Sequence, residues 1–225
     1  MEDAIFQEQI EYYRARAQEY DESIYQTGRF AAPDAGEALP DGLAAAMQVL
    51  HTLGPYERVL ELACGTGIWT GALVTLGQAV TAIDAAPEMI EVNKAKVASP
   101  RVQYVVADLF TWGPSEQYDL VFFAFWLSHV PPAALDAFLG TVQKAVRPGG
   151  QLIIIDQHAP TQGDLLAAKE GILHTRTLLD GRSFTIVKVF HQLPLLEEAL
   201  TRLGFVVTIQ TLDDTFFFLT ATLSG

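Results

Sequence analysis

Five apolar runs of six to eight residues, separated by stretches with helical spacing, dominate the middle of this chain. Each run is apolar almost throughout, as expected for a strand that is buried on both faces of a sheet. Regular alternation of strands with helices is typical of a parallel sheet covered by helices. The pattern therefore predicts a doubly wound α/β fold with mostly parallel strands at 57–62, 79–84, 102–108, 118–125 and 151–156.

The alternation stops in the C-terminal third of the chain. An Asp-Gly pair between two β-rich arms predicts a hairpin within residues 172–190. A helix at 194–204 follows, and two final strands at 205–212 and 215–223 are separated by only two aspartates. Because so short a link cannot cross over the sheet, these two strands must pair antiparallel.

The N-terminal region is predicted to be helical. Apolar residues recur at spacings of three and four, which predicts one amphipathic helix over 4–24. Residues 28–42 are rich in turn formers and lack periodicity, so they are predicted to be a loop, and a second helix is expected at 43–53.

The charge of the chain narrows the classes of partner. The chain has 14 Lys and Arg against 27 Asp and Glu, a formal net charge of −13. Nucleic acids and anionic membranes are bound through Lys and Arg, so neither is expected as a partner, and a small uncharged or cationic molecule fits the charge better. The single cysteine excludes an intramolecular disulfide. No apolar stretch approaches the ~18 residues of a membrane span, and a cytoplasmic location is predicted.

The first predicted strand runs into ELACGTG, residues 61–67, where apolar side chains give way to small ones. Gly65 and Gly67 allow a tight turn and close approach of a ligand to the backbone, at the strand end where open α/β sheets bind ligands. Thr70 stands where a dinucleotide fingerprint has its third glycine, and the Gly-Lys-Ser/Thr ending of a P-loop is absent. Glu61 disfavours a neighbouring phosphate and favours an ammonium or sulfonium group. The turn therefore indicates a nucleoside that carries positive charge and no phosphate.

ELACGTG resembles the E/D-x-G-x-G-x-G motif of class I S-adenosylmethionine-dependent methyltransferases, with Ala63 in place of the first glycine. VRPGGQLII resembles the LRPGG turn that precedes the fifth strand in this family, and the resemblance extends over residues 55–225. It implies a Rossmann-like, seven-stranded sheet with an antiparallel C-terminal strand and an N-terminal helical lid. It also implies S-adenosylmethionine as cofactor and S-adenosylhomocysteine as product.

On this basis the whole chain, 1–225, is predicted to be one methyltransferase domain. Its predicted parts are a helical lid region at 1–54, a cofactor-binding core at 55–156, an insertion with the hairpin at 157–200, and a strand pair at 201–225. The sequence leaves two roles open for the hairpin, a substrate lid or an association surface.

Acidic residues at the ends of the next two predicted strands match further positions of the family. By resemblance, Asp84 holds both ribose hydroxyls and Met89 lies against the adenine. Asp108 receives the adenine amino group, with the backbone of Leu109 beside it, and tyrosines of the first helix cover the cofactor. Helix capping for Asp84 and core packing for Met89 are the structural alternatives. The resemblance assigns these residues to the cofactor: Tyr13, Tyr20, Glu61, Ala63, Gly65, Thr66, Gly67, Asp84, Ala85, Met89, Asp108, Leu109 and Phe125.

The candidate catalytic residues are two histidines that follow predicted strands. Methyl transfer from a sulfonium depends on positioning and on exclusion of water, and it needs a base only when the nucleophile is protonated. His129, after the fourth strand, and His158, after the fifth, are the first and second candidates for that base, although packing beneath the cofactor loop explains His129 as well and a plain loop role explains His158. No metal ligands are predicted. Aromatic side chains around the fourth strand predict an apolar acceptor pocket, and they are Trp112, Phe123, Phe125 and Trp126.

The predicted function is methyl transfer to an O, N or S atom of a small aromatic or heterocyclic metabolite, by a monomer or homodimer. One alternative is a carboxyl methyltransferase that acts on a fatty or organic acid. Another is a non-catalytic module that binds a nucleotide or S-adenosylmethionine. Release of S-adenosylhomocysteine distinguishes the enzyme from such a module.

Overall fold

The computed structural model describes residues 2–25, 27, 39–158 and 171–225 of the chain. The helices in this part are α1 (Glu2–Arg16), α2 (Tyr20–Ile24), α3 (Asp41–His51), α4 (Thr70–Leu76), α5 (Pro87–Val97), α6 (Pro132–Ala145) and α7 (Leu193–Arg202). The strands are β1 (Tyr56–Leu62), β2 (Gly77–Asp84), β3 (Val102–Val106), β4 (Tyr118–Ala124), β5 (Val146–Gln157), β6 (Leu173–Thr177), β7 (Ser183–Val187), β8 (Phe205–Thr211) and β9 (Phe216–Leu223). A short 3₁₀ helix, Leu127–His129, follows β4.

Seven of these strands form one sheet in the order β3-β2-β1-β4-β5-β9-β8. Within this sheet, the strands β1 to β5 all run parallel to one another. β9 runs antiparallel to both β5 and β8, which confirms the predicted mostly parallel sheet with an antiparallel C-terminal strand. The strand order reverses between β1 and β4, and ligands of open α/β sheets bind at such a reversal.

Neighbouring residues of β1 and β4 enter two cores on opposite faces of this sheet. Val59 and Phe122 pack in the core that contains α3 and α4. Leu60 and Phe123 pack in the core that contains α6 and α7, and all four side chains are fully buried. Because successive side chains of a strand point to opposite faces, burial of both faces explains why these runs are continuously apolar.

The predicted hairpin is confirmed as a separate two-stranded sheet, β6–β7, that packs against α1. The side chain of Glu8 accepts a hydrogen bond from the Thr185 backbone at 2.6 Å. Gln9 accepts one from the Val187 backbone at 3.0 Å. These contacts satisfy backbone donors along one edge of the hairpin. The hairpin and α1 therefore pack together as one unit.

The predicted single helix over 4–24 is wrong, because a turn at residues 17–19 divides it into α1 and α2. Backbone hydrogen bonds between residues three apart close the turn. The change of direction allows Tyr13 on α1 and Tyr20 on α2 to pack against the same small cluster, formed by Ala17, Ala86 and Met89. The amphipathic spacing was present, but spacing alone does not reveal a turn that tertiary packing imposes.

Other boundaries differ by a few residues. β5 begins at Val146, five residues before its predicted start, and α3 begins at Asp41, within the predicted loop 28–42. Residues 28–38 of that loop lie outside the described residues. Among the described helices, none has the length and apolarity required to cross a bilayer.

Candidate active site

The turn after β1 is built from residues with left-handed backbone conformations. Ala63, Gly65 and Gly67 have φ values of 52°, 50° and 89°. A Cβ atom on Gly67 would lie 2.5 Å from Asn93 Oδ1, whereas a Cβ atom on Gly65 would meet no heavy atom within 4 Å. Gly67 is therefore required for packing, and Gly65 borders open space. Ala63 adopts a conformation that glycine adopts more easily.

A buried polar network supports this turn from below. Thr70 Oγ1 donates to Glu61 Oε2 at 2.6 Å and accepts from Asn93 Nδ2 at 2.8 Å. Asn93 Nδ2 also lies 3.3 Å from the carbonyl oxygens of Cys64 and Gly65. Burial raises the pKa of Glu61 to about 8, so its carboxyl group is mostly protonated near neutral pH.

The acidic residues that end β2 and follow β3 organise the next two loops. Asp84 accepts hydrogen bonds from the backbone N–H groups of Gly65, at 2.9 Å, and Ala86, at 2.8 Å. Burial outweighs these bonds and raises the pKa of Asp84 to about 6. Asp108 accepts a hydrogen bond from the Phe110 backbone at 2.9 Å.

A cavity lies above these strand ends, and we call it the cofactor cavity. Ten of the thirteen residues assigned to the cofactor line it: Tyr13, Tyr20, Ala63, Gly65, Asp84, Ala85, Met89, Asp108, Leu109 and Phe125. The other three do not. Glu61 lies beneath the turn, Gly67 is part of the turn and faces Asn93, and Thr66 directs its hydroxyl to Asp21 of α2. The lining also includes residues that the sequence did not indicate: Gln9, Ile10, Ala86, Phe110 and Ala124.

Known proteins resemble this chain in sequence and in fold. Residues 59–150 match the family described as a methyltransferase domain. An uncharacterized methyltransferase of Synechocystis is 31% identical over 152 residues, which cover 60% of this chain and 70% of that protein. The structure of DhpI in complex with SAM and HEP is 37% identical, with a TM-score of 0.81, and the match covers 96% of this chain and 97% of that chain. The chain belongs to the class I S-adenosylmethionine-dependent methyltransferases.

The predictions of family, fold and enzyme class are therefore confirmed, as is small-molecule methylation as the general function. S-adenosylmethionine is the cofactor of this methyltransferase, since DhpI has been solved with SAM and with SAH. Demethylmenaquinone methyltransferase of Clavibacter sepedonicus is a further relative, 34% identical over 46% of this chain and 42% of that protein. The alignment thus spans less than half the length of that relative.

A second cavity of about 410 Å³ adjoins the cofactor cavity of the methyltransferase. We call it the acceptor cavity. Four residues line both cavities: Tyr13, Tyr20, Phe125 and His129. Phe125 has a φ of 57°, a conformation that is costly for a bulky residue and that is found most often at functional sites.

His129 is buried at this boundary and is held at both ring nitrogens. Nδ1 lies 2.7 Å from the Val187 carbonyl oxygen, and Nε2 lies 2.7 Å from the Tyr13 hydroxyl. Because a carbonyl only accepts, Nδ1 carries the proton and Nε2 accepts from Tyr13. Burial, aided by the positive charge of Lys188, lowers the pKa of His129 to about 3. Burial also raises the pKa of Tyr13 well above its usual value, so both groups are neutral.

His158 lines neither cavity in the described part of the chain. Its ring nitrogen Nε2 lies 3.2 Å from the Asp213 carbonyl oxygen, and its backbone N–H donates to Thr215 at 3.0 Å. These contacts join the end of β5 to the turn between β8 and β9. The aromatic residues predicted for the acceptor pocket separate as well. Phe125 lines both cavities and Trp126 lines the cofactor cavity, while Phe123 is fully buried in the core and Trp112 packs against that core.

Proposed function

We propose that this methyltransferase binds S-adenosylmethionine in the cofactor cavity and methylates a small organic molecule in the acceptor cavity. The observation that carries the proposal is the boundary of four shared residues, where a methyl donor on one side would face an acceptor on the other. S-adenosylmethionine supplies a methyl group on positively charged sulfur. The contribution of the protein is to align the two molecules and to exclude water.

Asp84 and Asp108 are the proposed anchors of the nucleoside. Each oxygen of the Asp84 carboxylate accepts one backbone hydrogen bond, which leaves further acceptor positions on the side that borders the cavity. Ribose hydroxyls fit those positions. The open space beside Gly65 leaves room for a ligand against the backbone.

Glu61 is proposed to hold the shape of the turn. Its carboxyl group faces Thr70, and only 1% of the residue is exposed. Loss of this support would disturb Gly65 through Asn93, whose amide bonds both Thr70 and the Gly65 carbonyl. A direct contact between Glu61 and the cofactor stays a sequence prediction.

His129 is proposed to position Tyr13 and not to act as a base. A base must reach the proton that it removes, and Tyr13 already occupies Nε2 of the ring. The low pKa of His129 also makes its ring a weak proton acceptor. The catalytic role predicted for His158 is not part of this proposal, since among the described residues its ring lies against the Asp213 carbonyl and it lines neither the cofactor cavity nor the acceptor cavity.

The acceptor cavity has the size and the walls of a small-molecule site. Its volume lies within the usual range of ~300–1,000 Å³. Tyr12, Phe125 and Phe216 give it aromatic walls, which supports an acceptor with a flat or apolar part. The DhpI complex contains SAM together with a second ligand, HEP, which supports binding of a second molecule besides the cofactor.

The test combines cofactor binding with turnover. Calorimetry should show binding of S-adenosylhomocysteine by the parent protein, and Asp84→Asn should weaken it by roughly tenfold or more, because it loses charge-assisted hydrogen bonds. Asp136→Asn, at an exposed position of α6, is the matched control and should bind as the parent does. A panel of small acceptors, assayed by release of S-adenosylhomocysteine, then tests catalysis. Binding without release from any acceptor would favour the non-catalytic module.

The location and the oligomeric state are also part of the proposal. We place the methyltransferase in the cytoplasm, because it has one cysteine and that residue, Cys64, is a buried free thiol. A monomer or a homodimer is proposed. Cell fractionation and sedimentation of the purified protein test the two statements.

A further inference from the structure

The acceptor cavity has the opposite charge to the chain as a whole. Three positively charged residues line it, Arg16, Arg176 and Lys188, and its described lining contains no aspartate or glutamate. The chain has 27 acidic residues against 14 Lys and Arg. The net charge favoured an uncharged or cationic partner, but the local charge is the quantity that a bound molecule experiences.

Arg16 enters the cavity from α1 and is held by uncharged groups. It donates to the Tyr12 hydroxyl at 2.8 Å and to the hydroxyl of Ser23. Its guanidinium lies 5.1 Å from the centre of the Tyr20 ring. Its Nε is buried, and no described residue accepts a hydrogen bond from it. These contacts fix the guanidinium without neutralising it.

Lys188 and Arg176 enter the same cavity from the hairpin. Lys188 Nζ donates to Ser128 Oγ at 2.9 Å, and Arg176 is exposed on β6. Neither forms an ion pair with a carboxylate of the described residues. Asp156 at the end of β5 offsets part of the charge on Lys188, but its oxygens already accept the backbone N–H groups of Ser128 and Gln157.

We propose that the methyl acceptor carries an oxyanion, a carboxylate or a phosphate-type group, which Arg16, Arg176 and Lys188 bind. Three converging cations repel one another, and a bound anion would offset that repulsion through charge-assisted hydrogen bonds. The inference rests on the proposed function and names the acceptor class of the same site. It favours an acidic acceptor over the uncharged metabolite that the net charge suggested.

The location of these cations supports the same conclusion. The charges of Lys188, Arg176 and Arg16 all lower the pKa of His129, so all three lie near the boundary between the cavities. Arg176 and Lys188 come from the hairpin, which is absent from the cofactor cavity lining. This separation distinguishes an acceptor anion from the carboxylate of the cofactor.

Binding of matched probes tests the proposal in the presence of saturating S-adenosylhomocysteine. The probes are inorganic phosphate, acetate, phenylphosphonate, benzoate and, as the uncharged match of benzoate, benzamide. Calorimetry should show binding of at least one anionic probe, with benzamide bound at least tenfold more weakly than the best anion. The stronger of phenylphosphonate and benzoate identifies a tetrahedral or a planar group.

Variants then test whether the cations of the acceptor cavity bind the anionic probe. Arg176→Gln and Lys188→Gln should each weaken binding of the best anionic probe by about tenfold or more, which is the loss typical of a hydrogen bond to a charged group. Arg182→Gln is the control, since Arg182 lies on the same hairpin, pairs with Asp180 and does not line the cavity. It should bind the anion as the parent does.

The inference is overturned if no anionic probe binds, if benzamide binds as well as the best anion, or if the two cavity variants behave like Arg182→Gln. Equal losses of affinity for S-adenosylhomocysteine and for the anion would also overturn it, because the cations would then serve the cofactor. Failure of the proposed function gives a different result, in which anions bind but no member of the acceptor panel releases S-adenosylhomocysteine.

Discussion

The Tyr13 hydroxyl donates a 2.7 Å hydrogen bond to His129 Nε2, across 116 residues of sequence. Through the other ring nitrogen, His129 is bound to the Val187 carbonyl of the hairpin. One imidazole therefore joins the first helix, the segment after β4 and β7 at the boundary between the two cavities. A substitution of His129 is therefore expected to alter the walls of both the cofactor cavity and the acceptor cavity.

The first prediction concerns the role of His129 in turnover. With cofactor saturating, His129→Ala should lower kcat by a factor that does not depend on pH above the ordinary histidine pKa of ~6.5, because the ring positions Tyr13. Tyr13→Phe, which removes the same hydrogen bond, should lower kcat with the same flat profile. His51→Ala, at an exposed site on α3, should leave kcat unchanged.

A base gives a different profile for His129→Ala. The deficit would reach roughly 10²–10⁴ and would shrink as the pH approaches the pKa of the acceptor. Such a profile would restore the general-base assignment and reject the positioning role.

The second prediction is the pH dependence of stability that His129 causes. Its pKa is about 3 in the folded protein and ~6.5 when unfolded. The unfolded state therefore binds the proton first, and the contribution to the free energy of unfolding is complete above pH ~6.5 and decreases as the pH falls towards 3. The slope approaches about 1.4 kcal/mol per pH unit. Urea unfolding of parent and His129→Asn should show this slope in their difference. A constant difference between pH 4 and 6.5 would contradict it.

The third prediction has the opposite sign and concerns Glu61. Its folded-state pKa is raised from 4.5 to about 8 by burial. The folded protein therefore retains the proton longer than the unfolded chain does, and the stabilising contribution is complete below pH ~4.5 and is lost as the pH rises towards 8. Relative to Glu61→Gln, which stays neutral, the parent should lose stability over that window. The free energies of unfolding of the two proteins are measured in urea from pH 5 to 8. If their difference does not change with pH, Glu61 is ionised in the folded protein and the prediction is wrong.

The sheet and the turn after β1 were accessible from the sequence because their signals are local. A strand buried on both faces must be continuously apolar, and the left-handed turn at Gly65 and Gly67 favours glycine. Asp84 and Asp108 follow the ends of such strands, so their convergence follows once the strands are parallel. Most of the residues assigned to the cofactor from the sequence therefore do line the cofactor cavity.

The acceptor cavity was not accessible, because its residues come from elements that packing alone brings together. Arg16 lies on α1, and Arg176 and Lys188 lie on the hairpin. No spacing links residues that are 160 or more positions apart in the sequence. The net charge of −13 even pointed away from an anion. The turn that separates α1 from α2 was missed for the same reason, since it depends on contacts with α5.

The fourth prediction separates two glycines of one turn. A methyl group on Gly67 would meet Asn93 Oδ1 at 2.5 Å, at a φ of 89°. Gly67→Ala should therefore lower the free energy of unfolding by roughly 2–5 kcal/mol, from left-handed strain and overpacking together. Gly65→Ala adds a methyl group that meets nothing within 4 Å, so it should cost only the strain, about 1–2 kcal/mol.

The order of the two variants reverses for ligand binding. Gly65 borders the cofactor cavity and Gly67 does not, so a methyl group on Gly65 occupies space that we assign to the cofactor. Gly65→Ala should weaken binding of S-adenosylhomocysteine by at least ~tenfold, equivalent to ~1.4 kcal/mol, although it is the less destabilised of the two variants. Urea unfolding and calorimetry on both variants measure the two effects separately. If Gly65→Ala binds S-adenosylhomocysteine as tightly as the parent does, the cofactor does not approach this turn, and the placement of the cofactor beside Gly65 is wrong.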